Sequence, residues 1–109
     1  KEPRQEDSSE IVLEFEDPES PGTGKRVCYA RAIDASPGGL RIQSEVPFPA
    51  GAPFKIKLKS KRTGKSIQAR GKVLWTNDPE PGRAYEMGLE FVETPIRSIM
   101  DLLEHIYKG

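Results

Sequence analysis

Residues 34–42 read Asp34-Ala35-Ser36-Pro37-Gly38-Gly39-Leu40-Arg41-Ile42. A polar turn closed by Pro-Gly-Gly passes directly into an alternating run. Alternation of period two puts Leu40 and Ile42 on one side of an extended strand and Arg41 on the other. The residues before the turn alternate too, with Val27, Tyr29 and Ile33 sharing a face that Arg31 interrupts. The stretch therefore predicts a hairpin whose turn carries a carboxylate, a hydroxyl and backbone amides at a strand mouth. A turn of that content can hold a base edge or a phosphate. An Asx-turn with glycines at positive φ would give the same hexapeptide with no ligand at all.

The same period extends outward in both directions. Ile11, Leu13 and Phe15 form one face between glutamates. Leu40, Ile42 and Val46 alternate with Arg41, Gln43 and Glu45, and Phe54, Ile56 and Leu58 with Lys55, Lys57 and Lys59. Ile67, Ala69, Gly71, Val73 and Trp75 make a fifth face, and Tyr85, Met87, Leu89 and Phe91 a sixth. Segments 17–24, 47–53, 61–64 and 77–82 carry the Pro, Gly, Ser and Asn punctuation of loops and turns. Six short strands, each with one buried and one wet side, predict an all-β fold built as a small antiparallel barrel, which removes exposed edges. The end of the chain changes period. Thr94 can cap, Pro95 can open a helix, and Ile96, Ile99, Met100, Leu103 and Ile106 recur at helical spacing, with Leu102 and Tyr107 widening the stripe. The expected organisation is a flexible N-terminal arm over 1–10, a barrel over 11–93, and a helix over 94–109 that packs on the barrel or on a neighbour.

A chain of 109 residues holds one domain with a modest core. No apolar run approaches the length of a membrane span. Cys28 stands alone, which excludes a disulfide framework or a CxxC metal pair and suits a reducing, cytoplasmic setting. No signal peptide is visible, and the opening at Lys1 predicts a processed chain or a piece of a longer one. The zero net charge conceals an asymmetry. Residues 1–20 carry eight acids and two bases, 21–75 two acids and twelve bases, and 76–109 seven acids and three bases. The middle can offer a positive surface to an anionic ligand, or the acidic ends can fold back and neutralise it.

Catalytic chemistry has little support. His105, the one histidine, sits in the last helical turn, where an imidazolium suits the helix dipole. No nucleophile elbow or acid–base pair surrounds it, although Asp34 and Ser36 could join it in space. The expectation is a non-enzymatic domain with no metal or cofactor. Lys55, Lys57, Lys59 and Lys61 share one strand face, as a non-specific nucleic-acid stripe would. They lack aromatics on the same side for stacking, so lysines that block edge pairing are the expected reading and nucleic acid is not an expected partner.

The turn Asp34-x-Ser36-x-x-Gly39, the later Gly71-Lys72-Val73-Leu74-Trp75 strand and the Gly88-Leu89-Glu90-Phe91 ending together resemble PilZ domains, from about Ile11 to the final helix. That resemblance implies a six-stranded barrel with a C-terminal helix and a bacterial receptor for cyclic di-GMP. It implies that Asp34 and Ser36 read a guanine edge and that Gly39 leaves room for the base, with Gly38 beside it; Arg41, outward by the alternation, is a further expected contact. It further implies an Arg-x-x-x-Arg motif ahead of the first strand, with arginines stacking on guanine and pairing with phosphate. Arg4 matches the second arginine of that motif, and the first would fall immediately before Lys1. Two readings follow. One is a cyclic di-GMP receptor whose arm closes over the ligand and signals to a protein partner or fused domain. The other is an interaction adaptor of the same fold that binds no nucleotide.

Overall fold

The computed structural model describes residues 10–16, 25–60 and 63–108. Six strands, β1 (Glu10–Glu16), β2 (Lys25–Ser36), β3 (Gly39–Ser44), β4 (Pro53–Lys59), β5 (Ser66–Thr76) and β6 (Tyr85–Phe91), precede one helix, α1 (Ile96–Lys108). Every strand pair is antiparallel, and the order β1-β2-β3-β6-β5-β4 closes through β1 and β4 into a barrel. The all-β barrel with a C-terminal helix is as the alternation predicts. The loop over 17–24, the arm with Arg4, and Lys61 with Arg62 lie outside the described residues.

Leu13, Phe15, Ile42, Ile56, Val73 and Met87 fill the interior from five strands. One end is plugged by the loop between β3 and β4, whose Phe48 stacks on Phe15 with ring centroids 3.6 Å apart and interplanar angle 12°. Gly51 and Val73 hold that loop to β5 through Gly51 N–H to Val73 O at 2.7 Å and Val73 N–H to Ala52 O at 2.9 Å. The opposite end holds the turn between β2 and β3, the start of β1 and the helix. There Leu102 and Ile106 of α1 join the barrel core against β2 and β5.

Several faces depart from the simple alternation. Val27, Tyr29 and Ile33 are exposed, and Cys28, Ala30 and Ala32 face inward. The register explains it: Leu13 lies opposite Cys28 and Ile11 opposite Ala30, and residues directly opposite share a face. With Ile11 and Leu13 inside, β2 contributes small side chains to an interior already occupied. Val46 is exposed because the chain leaves β3 at Ser44, whose hydroxyl accepts from Val46 N–H at 3.0 Å and lies 2.9 Å from Cys28 Sγ.

On α1 the inward stripe is Ile99, Leu102 and Ile106, while Ile96 and Met100 are exposed. Thr94 does not cap the helix with its side chain. Its hydroxyl accepts from Arg70 N–H at 3.0 Å and donates to Arg70 O at 2.8 Å, clasping β5, and the helix starts with Ile99 N–H on Pro95 O at 3.1 Å. The edge-protection reading of the lysine row holds only in part. β4 is paired on both sides over Phe54–Ile56, so Lys55 has no edge to protect, and only Lys57 and Lys59 run past the β1 pairing.

Candidate functional site

Two irregularities in the sheet shape the outer surface beside the Asp34 turn. β2 slips its register between Ala32 and Asp34, and β5 slips between Val73 and Trp75. In each case one extra residue, Ile33 or Leu74, is left on the outside, and the next residue turns outward where strict alternation would turn it in. Asp34 and Trp75 are both exposed in consequence. Trp75 is therefore not on the buried face that period two assigns to it. The pairings Asp34 to Arg41, Arg41 to Gly88 and Gly88 to Trp75 then form one row across β2, β3, β6 and β5.

Gly88 is what lets the row close. It is buried, and a Cβ there would collide with Nε1 of the Trp75 indole, so the ring lies against bare backbone. The result is a shallow groove of 260 Å³ lined by Asp34, Ser36, Gly38, Gly39, Arg41 and Trp75 among others. Among the described residues the Asp34 carboxylate makes no hydrogen bond or ion pair, which leaves both its oxygens to the groove. Arg41 is held by Glu86, with Nη1 to Oε1 at 3.2 Å, and both side chains are partly exposed. Glu86 is itself fixed through its backbone, whose N–H donates to Asn77 Oδ1 at 2.7 Å.

Both glycines also have roles within the turn and the barrel. Gly38 does not offer a free amide: its N–H donates to Ser36 Oγ at 3.3 Å, and its carbonyl accepts from Phe91 N–H at 3.1 Å. Gly39 is required by the barrel, because a Cβ there would collide with the Leu89 carbonyl oxygen of β6. Its absent side chain serves strand approach, a demand that stands beside the base-clearance role implied by the resemblance. Neither glycine has positive φ; the glycines that do, among the described residues, are Gly51, Gly64 and Gly82.

The site also has a long-range support invisible to any local reading. Ala35 N–H donates to Tyr107 Oη at 3.0 Å, and that hydroxyl donates to Ala35 O at 3.1 Å, across 72 residues. His105 lies elsewhere. It lines a separate small cavity with Ser60, Thr63, Lys65, Asp101 and Glu104, so the fold does not gather it with Asp34 and Ser36. Burial holds its pKa below the ordinary imidazole value, and its Nδ1 has no hydrogen-bond partner among the described residues.

Sequence reasoning identified Asp34, Ser36, Gly38, Gly39 and Arg41, and the structure brings all five to one groove. Arg4 lies outside the described residues. Trp75 and Tyr107 were missed as site residues. The trace of the first was the run Val73-Leu74-Trp75, three apolar residues in succession that interrupt the alternation. The second left no local trace.

A closed six-stranded barrel with a C-terminal helix across one end and a polar groove beside the β2–β3 turn defines a small β-barrel domain. The chain matches the family model of the PilZ domain over residues 1–108, and it belongs to that family. PilZ domains are receptor and adaptor modules of the cyclic di-GMP-binding type. No curated protein matches the chain. Among the described residues no helix is long and apolar enough to cross a membrane.

Proposed function

We propose that this chain is a cyclic di-GMP-binding regulatory module of a bacterial cytoplasm, acting without catalysis. The observation that carries the reading is the row from Asp34 to Trp75, which two β-bulges turn outward into one groove with Ser36. The chemistry matches guanine part by part. Its Watson–Crick edge presents N–H donors, which a free carboxylate and a hydroxyl accept. Its O6 and N7 acceptors suit a guanidinium, a bidentate contact that contributes ~1–3 kcal/mol of discrimination. Its flat face suits the Trp75 indole.

The arm supplies the rest. β1 starts at Glu10 opposite Arg31, three residues from Asp34, at the barrel end that holds the turn. Arg4 lies six positions before Glu10, a length of chain that spans up to ~20 Å when extended, and on this reading its guanidinium reaches over the groove. Binding would draw the arm onto the ligand, and a protein partner or fused domain would read the closed arm. Gly38 and Gly39 hold the turn that aims Asp34 and Ser36. Arg41 would contact the ligand by sharing or leaving Glu86.

Isothermal titration calorimetry with cyclic di-GMP on the full-length protein tests this, with saturable heat expected at micromolar ligand. No heat at ligand concentrations of about 100 μM would sink it. That outcome favours the second reading, a PilZ adaptor that binds protein alone, which the exposed Ile96 and Met100 of α1 support.

A further inference from the structure

The last turn of α1 reaches back to the backbone from which the groove is built. Among the described residues, β1 pairs with β2 only as far as Glu10 opposite Arg31, so β2 continues to Ser36 with that edge uncovered by a strand. Ala35 lies on this stretch, between the two side chains that line the groove. Its N–H and C=O both meet the Tyr107 hydroxyl, at 3.0 and 3.1 Å. One phenol thus occupies the donor and acceptor places that a neighbouring strand would occupy. Tyr107 is 60% exposed, so burial does not account for the placement.

We propose that Tyr107 is a positioning residue for the ligand turn, fixing the Ala35 peptide and thereby the directions in which Asp34 and Ser36 leave β2. The inference rests on reading the groove as the cyclic di-GMP site. The Asp34 carboxylate has no hydrogen bond or ion pair among the described residues, so its aim is set by the backbone that carries it. Holding that backbone from α1 also links the site to the helix. By reciprocity, if the docked Tyr107 favours ligand binding, the ligand favours the docked last turn of α1 by the same free energy.

The substitution Tyr107→Phe removes one oxygen and keeps the ring. In the intact protein it should speed amide exchange at Ala35 while leaving Ile42 and Val73 in the barrel unchanged. Affinity for cyclic di-GMP should fall about two- to tenfold, the range that one net neutral hydrogen bond spans. In an Asp34→Asn background the same substitution should cost less than it does in the native protein, because part of the positioning acts through the Asp34 carboxylate. Ligand should slow exchange at the end of α1 in the native protein and fail to do so in Tyr107→Phe. Unchanged Ala35 exchange, or an equal affinity loss in both backgrounds, overturns the positioning role. If the native protein takes up no cyclic di-GMP, the nucleotide reading itself falls. Faster Ala35 exchange would then mark Tyr107 as a clasp of the fold and not of a ligand site.

Discussion

Trp75→Ala separates the groove from the barrel that carries it. Trp75 is 42% exposed and its indole lies on the Gly88 backbone outside the core, so its removal leaves no internal cavity. Stability should change by no more than ~1 kcal/mol, a melting shift of under about 8 °C for a domain of this size. Binding should respond far more. Stacking of a base on an aromatic side chain contributes ~1–3 kcal/mol by alanine substitution, which predicts roughly 5- to 150-fold weaker cyclic di-GMP binding. Trp75→Phe keeps a smaller ring and should recover part of the loss. Calorimetry measures each Kd, and thermal melts establish that the variants are folded. Trp75 is the chain's single tryptophan, so ligand arriving on its face should also change the native protein's fluorescence. A folded Trp75→Ala protein that binds within threefold of the native one would refute the stacking argument and leave the outward bulge on β5 without a role.

Three further outcomes follow from the same geometry. Asp34→Ala removes a carboxylate that would accept from guanine in charge-assisted bonds of ~1.5–3 kcal/mol, so calorimetry should show binding weakened at least tenfold, with Lys57→Ala on the far strand within twofold. Gly39→Ala drives a Cβ into the Leu89 carbonyl, and because both partners are backbone it should cost ~1–3 kcal/mol in urea unfolding. No cost there would show that β3 and β6 can part. His105, held below its ordinary pKa by burial, binds its proton later in the folded state than in the unfolded one. Between the two pKa values the unfolded state holds more protons, so the stability present above about pH 6.5 is lost as pH falls through the folded value. Urea melts at pH 7.5 and 5.5 should show that decline, and His105→Gln should flatten it.

The barrel was legible because most strands carry their large apolar residues on the inner side, as Leu40 with Ile42 and Phe54 with Ile56 do. β2 misled because it inverts the pattern, with Cys28, Ala30 and Ala32 inside and Val27 and Tyr29 outside. Only the register with β1 decides between its faces, and register is a property of two strands together. The helix face was half legible for a related reason. Ile96 and Met100 keep helical spacing but extend beyond the barrel surface that α1 covers. In the site, Asp34 and Ser36 stood out by type and spacing. Trp75 was hidden by a one-residue slip that reverses its side. Tyr107 was hidden by a contact spanning 72 residues, for which no spacing rule exists.

The measurement closest to the central claim is a titration of the isotope-labelled protein with cyclic di-GMP, followed through its backbone amides and the Trp75 indole N–H. The account predicts saturable shifts concentrated at Asp34–Arg41, Gly88, the Trp75 indole and the end of α1. A spectrum that does not move, or shifts confined to the Lys55–Lys59 face, would contradict it.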